Sequence, residues 1–175
     1  MKKKKKKKIA FFIGRFQPFH MGHLFALEKI LKKYKKVVIG VGSAQEKNTL
    51  NNPFSANKRI FFIKKILKKK WKKNVKIVKI DDASSDIQWI KNIKKRFSTK
   101  KYEICSQNQL VIKLAKQEGY GVYRPKFLKR EIFQAKKIRK KLLLGKNIKN
   151  FVPRKIKKEI EQSWKKIVKN IIKNQ

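Results

Sequence analysis

The 175-residue chain predicts an α/β fold: a five-stranded parallel sheet with helices on both faces and a helical segment at the C-terminal end. Two apolar runs, Ile9 to Ile13 and Val37 to Val41, are short and continuous, as strands buried on both faces require. Between them Leu24, Leu27, Ile30 and Leu31 recur at helical spacing. The same alternation of strand and helix continues to Tyr123. It implies repeated βαβ units, with ligands at the carboxyl ends of the strands near the switch in strand order.

In chain order, the first strand stops at Gly14, and a turn containing Pro18 leads into a helix over Met21 to Lys33. His20, Met21, Gly22 and His23 therefore straddle a helix N-terminus, where unpaired N–H groups and the helix dipole favour an anion. Gly22 has no Cβ, so a phosphate can approach the backbone there. The chain has only two histidines, and both lie in this stretch, three residues apart on one helical face. With one cysteine, no third histidine and no carboxylate pair nearby, the pattern does not suit metal ligation. The chemistry is expected here.

The second strand, Val37 to Val41, opens into a long polar loop from Gly42 to Phe54, a candidate substrate loop. Ser55 should cap a helix over Ala56 to Lys69, with Ile60, Ile63, Ile66 and Leu67 inward. Val75 to Ile80 reads as the third strand, ending at Asp81 and Asp82, which are read as turn residues in preference to metal ligands. Asp86 should cap a helix over Ile87 to Phe97 that places Trp89 in its first turn, where an indole either packs or stacks on a flat cationic ring. Tyr102 to Ser106 is the fourth strand; a helix ending at Gly119 and a short fifth strand, Tyr120 to Tyr123, follow. Ile132 to Leu144 and Arg154 to Lys173 are the last helices. The latter carries Ile156, Ile160, Trp164, Ile167, Val168 and Ile171 on one face, suited to the domain itself or to a neighbouring subunit, and a homo-oligomer is expected. Residues 1–8 read as a lysine-rich extension, frayed by its own repulsion, and 9–175 as one domain.

A formal charge of +42 first suggests a nucleic-acid binder. The lysines, however, are spread through nearly every segment, and Lys, Ile, Asn and Phe, which A+T-rich coding favours, are all abundant. Drift in composition is the favoured account; the alternative is an added electrostatic role, including non-specific attraction of nucleic acid. Ten acidic residues are too few for ion-pair networks. No run is long enough to span a membrane, no secretory or transit signal is recognisable, and the single Cys105, in an apolar context, fits a reducing cytoplasm and a core role.

The stretch Gly14-Arg15-Phe16-Gln17-Pro18-Phe19-His20-Met21-Gly22-His23 resembles the His-x-Gly-His signature of nucleotidylyltransferases, in the longer form of the archaeal-type nicotinamide-nucleotide adenylyltransferases. Gly42-Ser43-Ala44-Gln45, Asn52-Pro53-Phe54-Ser55, Arg59, Trp89, Ser106 with Asn108, Arg130 with Glu131, and Arg139 extend the resemblance in the same order. It implies a Rossmann-like nucleotidyltransferase fold and transfer of the adenylyl group of ATP to nicotinamide mononucleotide by direct in-line attack, with Mg2+ carried by ATP. By the same resemblance His20, His23, Arg15 and Arg139 are catalytic. Gly14, Phe16, Gly22, Lys136 and Arg139 meet ATP, and Ser43, Gln45, Asp86, Trp89, Ser106 and Asn108 meet the nicotinamide nucleotide; no residue is a metal ligand. Arg59 is expected to be structural. The chain departs from the pattern at Lys47-Asn48 (Ser-His in the family), Asp86 (Asn), Gln107 (Gly) and Lys136 (Thr). Two other readings remain: a different nucleotidylyltransferase, and a non-catalytic basic nucleic-acid binder on the same fold.

Overall fold

A computed structural model describes residues 8–126, 128–129 and 131–173. The N-terminal lysine run up to residue 7 and Arg130, both singled out in the sequence, lie outside the described residues. The elements are β1 (Ile9–Gly14), α1 (Met21–Lys33), β2 (Val37–Val41), α2 (Ala56–Ile66), α3 (Lys69–Lys72), β3 (Val75–Lys79), α4 (Asp86–Arg96), β4 (Tyr102–Cys105), α5 (Gln109–Gln117), β5 (Gly121–Tyr123), α6 (Ala135–Leu143) and α7 (Arg154–Lys173). All five strands pair in parallel, in the order β3-β2-β1-β4-β5. This is the Rossmann-like architecture that the alternating pattern predicts.

β1 is central because every one of its apolar side chains is used. Ala10 and Phe12 point into the core shared with α1, α2, α6 and α7, whereas Phe11 and Ile13 point into the one shared with α4 and α5. That is the period-two alternation of a strand covered on both faces. The fit is close. A Cβ on Gly40 of β2 would lie 2.7 Å from the Phe11 ring, so only glycine lets that ring lie over the neighbouring strand. The chain turns to one side of β1 for β2 and β3 and to the other for β4 and β5, which opens a crevice between the carboxyl ends of β1 and β4. The start of α1 and the start of α5 border it.

Three helices differ from expectation. α2 stops at Ile66 because Leu67 leaves the helical conformation and tucks into the core; the chain then makes the separate turn α3. Asp86 does not cap α4: Ser85 does, its Oγ accepting from the Gln88 N–H at 3.1 Å, and Asp86 is the first helical residue. α6 begins at Ala135, not Ile132. The preceding residues form a turn in which the N–H groups of Ile132 and Phe133 both donate to the Lys129 carbonyl. The apolar face of α7 packs on this chain's own α2, with Ile156, Ile160 and Trp164 buried. Among the described residues no helix is long and apolar enough to cross a membrane.

Candidate active site

The histidines form the start of α1, each closing a bond for the other. His20 is the N-cap, its Nδ1 accepting from the His23 N–H at 3.3 Å, while His23 Nδ1 accepts from the His20 N–H at 3.3 Å. This is a capping box made with two imidazoles in place of Ser and Glu. Because Nδ1 is the acceptor in both rings, the neutral tautomer carries its proton on Nε2. The rings stack with centroids 3.6 Å apart, and His23 also rests on Phe16 and Phe19. The space that a Cβ on Gly22 would need is taken by Phe133 and the His20 ring, at 3.0 and 3.2 Å.

Burial disfavours the charged forms. It lowers the His20 pKa to about 3; for His23, burial and then the neighbouring His20 hold it well below the usual range. Both imidazoles are therefore neutral N–H donors at neutral pH. The unfolded chain, with a histidine pKa of about 6.5, binds protons that the folded chain refuses between that value and about 3. Stability should thus fall as pH drops through this window. Between about pH 7 and about pH 4 the Tm of the wild type is expected to fall further than that of His20→Asn, since asparagine keeps the cap but removes the titrating ring. Parallel Tm profiles would refute this.

Two clefts meet at the crevice. One, of about 510 Å³, is lined by Phe12, His20, His23, Ser106, Asn108 and Phe133, among others. The other, of about 220 Å³, is lined by Gly14, Arg15, Ser43, Asp82, Asp86 and Trp89, and again by Asn108. Asn108 therefore stands at the junction, as the N-cap of α5, with its Oδ1 accepting from the Leu110 N–H at 3.0 Å. Most residues that the sequence nominates fall into one of these two clefts.

Five do not line either cleft. Phe16 lies buried beneath His23, and Gly22 is covered as described above. Gln45 bonds to Asp82, with Nε2 donating to Oδ2 at 3.3 Å and Oε1 accepting from the Asp82 N–H at 3.1 Å. Arg139 donates to the Gln17 carbonyl at 2.9 Å, half-buried, and its pKa is lowered by burial and then by the charge of Arg15. Lys136 is exposed on the outer part of α6. Cys105 is buried, and burial followed by Glu103 pushes its thiol up, which suits packing and not attack.

Three residues that the sequence did not nominate as contributors shape the clefts. Gln17 exchanges two bonds with the Phe54 backbone, at 2.8 and 3.0 Å, tying the histidine turn to the loop before α2. Asp82 accepts from Ser43 Oγ at 3.2 Å, fixing the loop after β2 to the end of β3. Arg59, expected to be structural, is fully buried beneath both strand ends. The sequence showed Gln17 inside the signature stretch, Arg59 as a structural position and Asp82 as an acid at a strand end, but not the bonds they make.

The profile of the family described as "Cytidylyltransferase-like" matches residues 11–173. The chain belongs to that family. Its relatives narrow the placement. It is 36% identical over 156 residues to a nicotinamide-nucleotide adenylyltransferase of Methanococcus maripaludis, covering 87% of this chain and 88% of that one. It is 42% identical over 136 residues to one of Sulfurisphaera tokodaii, covering 77% and 78%. Among solved structures, a bifunctional NMN adenylyltransferase/ADP ribose pyrophosphatase of Francisella tularensis, complexed with AMP and a manganese ion, superposes with a TM-score of 0.72 at 24% identity. That match covers 93% of this chain and 52% of the other, so the chain spans about half of the bifunctional protein.

Proposed function

We propose that the protein transfers the adenylyl group of ATP to the 5′-phosphate of nicotinamide mononucleotide, giving NAD and pyrophosphate. The observation that carries this reading is the junction of two clefts at one crevice. The imidazole cleft offers neutral N–H donors at a helix N-terminus, as a polyphosphate requires. The other cleft is lined by both an arginine and an indole, as a mononucleotide with a phosphate and a cationic ring requires.

In the reaction, an oxygen of the mononucleotide phosphate attacks the α-phosphorus of ATP; that O–P bond forms as the bond to the pyrophosphate oxygen breaks, opposite to it. Pyrophosphate leaves with the electron pair. Charge grows on the phosphoryl oxygens, and His20, His23, Arg15 and Arg139 are the groups that offset it. The charge of Arg15 contributes, after burial, to lowering the Arg139 pKa, and a bound phosphate would offset both positive charges. The side chains named around the imidazole cleft are imidazoles, amide, hydroxyl and hydrocarbon, whereas a hard divalent cation prefers carboxylate oxygens. Magnesium thus fits as part of the MgATP substrate, held by the nucleotide's own phosphates.

The test is NAD formation by the purified protein with ATP, magnesium and nicotinamide mononucleotide, beside reactions in which CTP replaces ATP. Turnover with ATP is expected. Turnover only with CTP, or only with a mononucleotide lacking the pyridine ring, would assign a different nucleotidylyl transfer.

A further inference from the structure

Among the described residues Arg59 is the largest side chain removed completely from solvent, and its contacts lead to the clefts. It sits in the first turns of α2, behind the carboxyl ends of β1 and β2. Its Nη1 donates to the carbonyl of Arg15 at 2.8 Å and to that of Gly42 at 2.6 Å, and its Nη2 donates to that of Ser43 at 2.9 Å. These carbonyls belong to the turns that leave the two strands. The chain is unusual at both. Phe16 has φ 52° and Ser43 has φ 46°, left-handed values that side-chain-bearing residues rarely adopt. Such conformations persist only where the surroundings hold them.

The guanidinium joins the two turns from below. One nitrogen bridges Arg15 to Gly42 across the strand boundary, and the other holds the residue after Gly42. A backbone bond from the Gly42 N–H to the Gly14 carbonyl, 3.0 Å, runs alongside. Arg15 and Ser43, the residues so held, both line the nucleotide cleft. The partners are carbonyls, so a planar fork of donors suits the site where a single ammonium would not.

We propose that Arg59 is a positioning residue for the nucleotide cleft: it clamps the left-handed turns at Arg15-Phe16 and Gly42-Ser43, and so sets where the Arg15 and Ser43 side chains meet the mononucleotide. This rests on the adenylyl-transfer reading given above. A residue that merely filled the core would change how much protein folds, whereas this one changes the affinity of what has folded. The effect falls mainly on the mononucleotide, because the clamped turns carry Arg15 and Ser43 into its cleft, whereas the histidines of the other cleft are also held by their own cap bonds.

The decisive comparison is wild type against Arg59→Lys, which keeps the charge and loses the fork, with Kd for nicotinamide mononucleotide measured by calorimetry and KM for each substrate measured on protein shown to be folded. Binding of the mononucleotide should weaken about tenfold or more, KM for ATP should change less than about threefold, and the split should persist in kcat/KM. In Arg59→Ala, millimolar guanidinium should restore part of the mononucleotide affinity, while equal potassium should not. If Arg59→Ala does not fold, the Lys variant alone carries the test. Unchanged mononucleotide Kd and KM in folded Arg59→Lys, or equal loss for both substrates, would overturn the proposal. Mononucleotide binding that depends on Arg59 in a wild type with no turnover would leave it standing and remove the adenylyl-transfer reading instead.

Discussion

His23→Ala is expected to lower kcat by about 10²- to 10³-fold, the usual loss when one donor to developing charge is removed. The structural cost should be small beside that. The His23 ring accepts one cap bond, from the His20 N–H, and rests on Phe16 and Phe19; loss of a cap costs about 1 kcal/mol. His20→Asn separates the two roles more cleanly, because asparagine serves well as an N-cap and can accept from the His23 N–H as the imidazole does. If the pair is only a helix cap, His20→Asn should work as wild type. If the imidazoles act on phosphate, His20→Asn should fold normally and turn over far more slowly, with KM for nicotinamide mononucleotide little changed. Single-turnover measurements at saturating ATP distinguish a slower chemical step from weaker binding. Wild-type kcat in both variants would remove the imidazoles from the reaction.

Much of this site was legible because the relevant signals are local. Apolar runs as short as Ile9 to Ile13 mark buried strands, and two histidines three residues apart before a periodic segment mark a helix start; both features stand in the structure. What the sequence did not expose is what joins distant segments. The Arg59 fork reaches carbonyls 16, 17 and 44 positions away, and Gln17 clamps a backbone 37 positions away. Backbone acceptors have no side-chain signature, so no spacing reveals them. The reciprocal use of Nδ1 by the histidines, which fixes their tautomer, depends on atomic geometry in the same way. The displaced cap of α4 is different, because the spacing of Ser85 and Gln88 matches a capping box and signalled the boundary. The late start of α6 had a subtler cause: Ile132 continues the helical periodicity but sits in a turn, with Lys129 at φ 36° before it.

Asp86→Asn is expected to relax the choice between pyridine nucleotides. A chain with 52 basic and 10 acidic residues has only three aspartates, Asp81, Asp82 and Asp86, and all lie between the end of β3 and the start of α4. Two of them, Asp82 and Asp86, line the nucleotide cleft beside Trp89. Asp82 is tied down by Ser43 and Gln45, and Asp86 occupies the first turn of α4, where related sequences are expected to carry asparagine. A carboxylate can only accept, so it suits the N–H groups of a carboxamide and the positive ring, and it repels the carboxylate of the nicotinic acid form. An asparagine can turn either its oxygen or its nitrogen towards the substrate and carries no charge. The wild type should therefore favour nicotinamide mononucleotide over nicotinic acid mononucleotide by at least about tenfold in kcat/KM, and Asp86→Asn should shrink that ratio by about the same factor. Asp86→Lys should reverse the preference. The comparison is internal to one enzyme preparation, so loss of folded protein scales both rates and leaves the ratio unchanged. A ratio near one in the wild type, or one that ignores both substitutions, would mean that the ring is selected by Trp89 and the backbone alone, with Asp82 serving only to pin the Ser43 loop and Asp86 only to open α4.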